Sequence, residues 1–234
     1  MKMKKLGLVG GISWVSTLDY YRYLNEGIHA RRGGLEFAEC LVYSLNFGDI
    51  QAVEWPNSFP LLLGACESLV RGGADAIVLC ANTAHFAADE LAARIPLPFV
   101  HIGVATAAAV RAQGLRKIGL LGTKFTMEMS FYRDKLATAG IETLVPPDQT
   151  TRDYVQRTIK DELGTGLVLP ETKAAYVRIA HELIAAGAEG IVLGCTEVPL
   201  LLGPADIPVP VFDTAKIHCQ AAIDFALGQG LVRK

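Results

Sequence analysis

Gly73-Ala74-Asp75-Ala76-Ile77-Val78-Leu79-Cys80-Ala81-Asn82-Thr83-Ala84-His85 has a second copy in this chain, Gly187-Ala188-Glu189-Gly190-Ile191-Val192-Leu193-Gly194-Cys195-Thr196-Glu197-Val198-Pro199. Each copy is a small acidic turn, a short aliphatic run and a polar cluster. A short apolar run bounded by turn residues reads as a parallel strand buried on both faces. Polar residues just past its C-terminal end occupy the place where open α/β sheets bind ligands. Aligned without a gap, Ala81 matches Cys195 and Cys80 matches Gly194. The two copies therefore carry half-sites whose cysteines are one residue out of step.

Working outward, the repeat extends over the chain. Lys117-Ile118-Gly119-Leu120-Leu121-Gly122 follows Lys5-Leu6-Gly7-Leu8-Val9-Gly10 at an offset of 112, and Pro210–Thr214 follows Pro98–Ile102 at the same offset. Strands are expected at 5–10, 39–45, 76–80 and 98–100, then at 117–122, 141–145, 191–194 and 210–214. Helices are expected from about Ser16 to Gly27, then at 61–69, 84–93, 103–114, 150–163, 172–186 and 215–227. Residues 46–60, with Pro56, Asn57 and Pro60, read as irregular. The pattern predicts an α/β fold of two pseudo-symmetric domains, each a roughly four-stranded parallel sheet flanked by helices. The expected division is residues 1–100 with 212–234, and residues 101–211. The polar clusters of the halves are expected to share a cleft.

Composition narrows the function. The chain has 234 residues, 51% hydrophobic, with a formal net charge of −2. Such a balance supports real cores and gives no basic footprint for nucleic acid. No apolar run approaches the ~18 residues of a membrane span. Five cysteines without a framework fit a reducing cytoplasm. No Cys-x-x-Cys or His-Glu-x-x-His spacing suggests a metal. Gly7, Gly10 and Gly11 lack the Gly-x-Gly-x-x-Gly spacing of a dinucleotide site, and the second strand ends near Tyr43-Ser44 without a ribose-holding acid.

The strand ends carry the chemistry. Cys195 follows a strand and precedes a short helix, so backbone N–H groups are expected to favour its thiolate and hold its pKa below the ordinary ~8.5. Ser13, Asn82, Thr83, Thr123 and Thr196 supply uncharged donors suited to a small carboxylate. Each residue type also caps helices. His85 reads equally as a supporting acid–base group or a cap residue, and Glu197 lies beside Cys195. His101 and Asp213 occupy twin positions, and His29, His181 and His218 fall on helices as structural or solvated groups.

At these residues the chain resembles the aspartate/glutamate racemase family. The matches are Gly10-Gly11-Ile12-Ser13-Trp14 with Ser16-Thr17 and Tyr20-Tyr21-Arg22, Asn82-Thr83-Ala84-His85, Leu121-Gly122-Thr123 with Tyr132-Arg133, Gly194-Cys195-Thr196-Glu197, and Phe212-Asp213-Thr214. The resemblance implies two α/β domains, the C-terminal helix packed on the first domain, no cofactor, and a small amino acid or related carboxylate as substrate. A homodimer is expected as well. It also implies a two-base mechanism in which one thiol removes the α-proton and a group on the opposite face returns one. Cys195 takes one base position. Substrate contacts fall to Gly11, Ile12, Ser13, Asn82, Thr83, Thr123, Lys124 and Thr196, with His85 and Glu197 behind them. The other base position, directly before Asn-Thr, holds Ala81, with Cys80 one residue earlier as a substitute. Residues 46–70 contain no Arg or Lys to hold a side-chain carboxylate. Three readings stay open: a racemase in which Ala81 is an engineered substitution or another group serves as second base, a one-base lyase or isomerase, and an inactive binder of amino or keto acids.

Overall fold

The computed structural model describes residues 2–229. The chain divides into two compact units. One runs up to Ile102 and resumes at Ala215; the other is Gly103–Thr214. Each contains a four-stranded parallel sheet.

In the first unit the strands are β1 (Leu6–Gly10), β2 (Cys40–Ser44), β3 (Ala76–Leu79) and β4 (Phe99–Val100), in the order β2-β1-β3-β4. In the second they are β5 (Lys117–Gly122), β6 (Glu142–Leu144), β7 (Ile191–Gly194) and β8 (Val211–Asp213), in the order β6-β5-β7-β8. The order is the same in both. The registers also match: Val9 pairs with Leu79, and their repeat partners Leu121 and Leu193 pair with each other. Ala81 and Cys195 are therefore twins in space within their own units. Each is the second residue past equivalent paired positions.

Alternation along the strands splits the first unit's core. Leu6, Leu8, Ala76, Val78 and Cys80 face one side, where α1 (Trp14–Arg32) and α10 (Thr214–Ala226) cover them. Val9, Ile77, Leu79 and Ala81 face the other, against α3 (Phe59–Arg71) and α4 (Ala88–Arg94). Successive strand residues point to opposite faces, so Cys80 and Ala81 diverge. In the second unit Leu121, Leu193 and Cys195 join the core formed with α8 (Gln149–Asp161) and α9 (Pro170–Ala185).

Several boundaries differ from expectation. Helix α1 continues past Gly27, which is a packing glycine because a Cβ there would strike Cδ1 of Ile223 on α10; the helix stops at Gly33, whose φ of 72° suits glycine. The stretch after Asn46 is not irregular. Asn46 caps α2 (Phe47–Val53), its Oδ1 accepting from the Gly48 N–H at 3.2 Å, and Pro60 sits in the first turn of α3, where a missing N–H costs nothing. The helix expected at 84–93 is broken into a 3₁₀ turn, Thr83–Ala87, followed by α4. The remaining helices are α5 (Ile102–Ala112), α6 (Lys124–Glu128) and α7 (Ser130–Thr138). No helix among the described residues is long and apolar enough to cross a membrane.

Candidate active site

The expected site residues gather at the C-terminal edges of adjacent strands. In the first unit, Gly11, Ile12 and Ser13 leave β1 beside Cys80, Ala81, Asn82, Thr83 and His85, which leave β3. In the second, Thr123 and Lys124 leave β5 beside Cys195, Thr196 and Glu197, which leave β7.

The turn after β1 is locked internally. Gly11 has φ +82° and its Cα lies against the Leu45 backbone, so any Cβ would collide with the Leu45 N and O. Its N–H donates to Thr17 Oγ1 at 2.9 Å, and that hydroxyl donates to the Ser13 carbonyl at 2.8 Å. Gly11 thus shapes the turn, and its N–H is held by Thr17. Ser13 caps α1, accepting from the Ser16 N–H at 3.2 Å. Thr123 likewise caps α6, accepting from the Thr126 N–H at 3.2 Å. Lys124 is held by two partners in α8. Its N–H donates to Gln156 at 2.8 Å, and its ammonium pairs with Asp153 at 2.8 Å. The hydrogen bond to Asp153 raises the Lys124 pKa, and Lys124 serves in return to lower that of Asp153.

The turn after β3 is built differently. Asn82 and Thr83 are buried, yet Asn82 forms no side-chain cap on the turn it begins. Its helical φ and ψ withdraw the side chain from the usual capping geometry. Ala81 and Cys195 are matched in exposure, at 9% and 8%. Cys80, by contrast, is 1% exposed, and its thiol donates only to the Val78 carbonyl at 3.7 Å. Burial pushes that thiol's pKa far up. Cys80 belongs to the sheet face opposite Ala81, which removes it from the place of a substitute base.

His85 is buried and bridges backbone groups. Its Nδ1 lies 2.9 Å from the Ala81 carbonyl, and its Nε2 accepts the Ile102 N–H at 3.2 Å. A carbonyl can only accept, so the hydrogen is assigned to Nδ1 and the ring is neutral. Burial, then the rings of His101 and His218, hold its pKa well below the ordinary value. His85 is therefore a backbone strut, not a solvent-facing acid or base.

In the second unit Cys195 and Glu197 are in direct contact. Cys195 Sγ donates to Glu197 Oε2 at 2.9 Å, and Thr196 Oγ1 donates to the same oxygen at 2.9 Å. Burial first, and then the Glu197 carboxylate, push the thiol pKa well above its ordinary value. The expected lowering is overturned. Backbone N–H groups of Glu197 and Thr196 do favour the thiolate, but they are outweighed. The element that follows is a single 3₁₀ turn, Val198–Leu200, too short to carry an appreciable dipole.

Two residues named in the sequence acquire positioning contacts that the sequence reading did not assign them. Thr17 fixes the β1 turn through a pair of hydrogen bonds. His218 is fully buried on α10; its Nε2–H donates to the Val100 carbonyl at 2.7 Å and its Nδ1 accepts from Tyr20 at 2.8 Å. Thr17 had a local signal, the spacing of a hydroxyl six residues after a glycine turn. His218 had none, because its partners lie far away in the chain.

Comparison with known proteins follows the same lines. A family profile described as Asp/Glu/hydantoin racemase matches residues 9–222. Over 148 residues the chain is 34% identical to the glutamate racemase of Corynebacterium diphtheriae, covering 61% of this chain and 52% of that protein. The chain spans little more than half the length of the curated relatives it matches. Among solved structures, a candidate Asp/Glu racemase from Yersinia pestis is 46% identical with a TM-score of 0.89, over 96% of this chain and 100% of that one. An aspartate racemase homologue from Pyrococcus horikoshii is 35% identical with a TM-score of 0.84, again over 96% and 100%. With repeated sheets, matched strand-end half-sites and a profile running through both, the chain belongs to the Asp/Glu/hydantoin racemase family.

Proposed function

We propose that this protein moves a proton at Cα of a small amino acid, using side chains alone, with Cys195 as the acid–base group. The observation that carries the reading is the Cys195–Glu197 contact, a thiol 2.9 Å from a buried carboxylate. The thiolate form of Cys195 removes the α-proton and becomes the thiol, which Glu197 holds by accepting its hydrogen bond. Thr196 steadies the carboxylate by donating to the same oxygen. The high thiol pKa makes that thiolate a strong base once substrate replaces water. In the unit that carries Cys195, Thr123 and Thr196 supply donors and acceptors for the α-carboxylate and amine; Ser13, Asn82 and Thr83 hold the corresponding strand ends of the first unit.

Racemisation needs a second proton carrier on the opposite face of Cα. Ala81, the twin of Cys195, carries none. That observation favours a second reading, a one-base lyase or isomerase in which Cys195 alone protonates a planar intermediate.

Solvent deuterium exchange at Cα, followed by mass spectrometry for each enantiomer of several amino acids, separates the readings. A racemase labels both enantiomers, and a one-base enzyme labels one. Cys195→Ser must abolish the exchange. If neither enantiomer of any amino acid exchanges, the proton-transfer reading fails.

A further inference from the structure

We propose that His85 is a positioning residue that fixes the end of β3 only while its ring is uncharged. The inference starts from hydrogen-bond polarity. The Ala81 carbonyl accepts from Nδ1 at 2.9 Å, and the Ile102 N–H donates to Nε2 at 3.2 Å. Neither backbone group can exchange its role. A proton on Nε2 would set donor against donor at Ile102, while the Val100 carbonyl beside the ring favours that proton, so charging the ring trades the Ile102 contact for Val100. His218 differs in kind: its Nδ1 faces the Tyr20 hydroxyl, which can turn and accept.

One ring thus ties the strand end bearing Ala81 to the start of α5. It also sets the path of Asn82 and Thr83, which lie between Ala81 and His85. The titratable side chains facing His85 are His101, at 4.7 Å between ring centroids, and His218, at 5.4 Å. Both resist a charge on it. Among the described residues no group of three or more His, Cys, Asp or Glu is placed to hold a metal ion. With both His85 nitrogens committed to backbone, the three imidazoles act as a packed strut. Acid therefore releases the turn that carries Ala81, Asn82 and Thr83. The effect on catalysis rests on the function proposed above, whereas the effect on the turn does not.

The test is a pH titration of the whole protein by nuclear magnetic resonance, from pH 7 to 4, following the His85 ring nitrogens and the Ile102 amide. A bare Nε2 is expected at pH 7. Where His85 takes up a proton, the Ile102 amide shifts and loses its exchange protection in the same step. In His85→Gln the amide oxygen accepts the Ile102 N–H and does not titrate, so protection becomes independent of pH. In His85→Phe protection is lost at every pH. A protonated Nε2 at pH 7, a His85 titration that leaves Ile102 unmoved, or full protection in His85→Phe would each overturn the proposal. If the variants do not fold, the wild-type titration decides alone. In Cα exchange assays, the acid limb of the kcat profile should be present in wild type and absent in His85→Gln. A protein without exchange activity would defeat the proposed function while leaving the amide result to judge His85.

Discussion

Acidification should strip about 3 kcal/mol from the first unit through His218 alone. The ring is fully buried, with Nε2–H donating to Val100 and Nδ1 accepting from Tyr20. Burial, the dominant cause, lowers its pKa to about 4, the Val100 hydrogen bond opposes, and His101 adds to the lowering. In the unfolded chain the group titrates near ~6.5. Between those values the unfolded state binds a proton that the folded state refuses, so stability falls as pH drops from about 6.5 to about 4. Roughly 2.5 pH units at ~1.36 kcal/mol each gives about 3 kcal/mol. The protein has two tryptophans, Trp14 and Trp55, and both lie in the first unit. Urea unfolding followed by tryptophan fluorescence therefore reads that unit selectively. His218→Gln keeps an amide donor toward Val100 and cannot titrate. Carboxylate contributions are common to both proteins and cancel in the difference. The variant should lose about 3 kcal/mol less than wild type between pH 6.5 and 4. Equal losses would refute the idea that the buried neutral imidazole carries this acid sensitivity.

Other outcomes follow from the strand ends. Ala81→Cys or Ala81→Thr should raise racemisation by ~10²–10⁴-fold, the usual contribution of a positioned acid–base group, as read by enantiomer interconversion; no increase would sink the assignment of position 81 as that of the missing base. The Cys195 thiol should resist alkylation near pH 8, and Glu197→Gln should lower its pKa and speed labelling, followed by peptide mass spectrometry; an unchanged rate would show that the carboxylate does not govern the thiol. Cys80→Ala should cost roughly 1–2 kcal/mol in denaturant unfolding, as a core truncation, and leave Cα exchange intact; abolished exchange would return Cys80 to the chemistry. Gly11→Ala combines a left-handed φ with a backbone collision and should destabilise by more than about 2 kcal/mol; a near-neutral effect on thermal midpoint would contradict that geometry.

How much of this was legible in the sequence depended on the range of the forces involved. Buried parallel strands read as aliphatic runs, so Ile77–Leu79 and Ile191–Leu193 announced themselves, and their register carried Ala81 onto Cys195. Period-two alternation correctly separated Cys80 from Ala81. Helix α2 is not legible because seven residues offer little periodicity, and Pro56, Asn57 and Pro60 close behind it read as breakers of the whole segment. The acidity of Cys195 went the wrong way for a different reason. Its sequence shows backbone N–H groups that favour a thiolate, but not the burial or the side-chain rotamer that brings Glu197 to 2.9 Å. The His85 and His218 contacts to Ile102, Val100 and Tyr20 depend on tertiary placement, which no local pattern encodes.

The place of α10 sets an order of assembly. During synthesis the first unit emerges early, but Ala215, Cys219, Ala222, Ile223 and Phe225 of its core come only after all of Gly103–Thr214. Until then Leu6, Leu8, Val78 and the α1 residues Tyr20, Leu24 and Ile28 lack one wall, and His218 is not yet there to meet Tyr20. The second unit is contiguous and can close as soon as it leaves the ribosome. The usual N-to-C order of domain folding is thus inverted, and the earlier half waits as an incomplete sheet with an open apolar face. Chaperone dependence should track that waiting interval, and a ribosome stalled just before α10 should display a folded second unit beside an unfinished first.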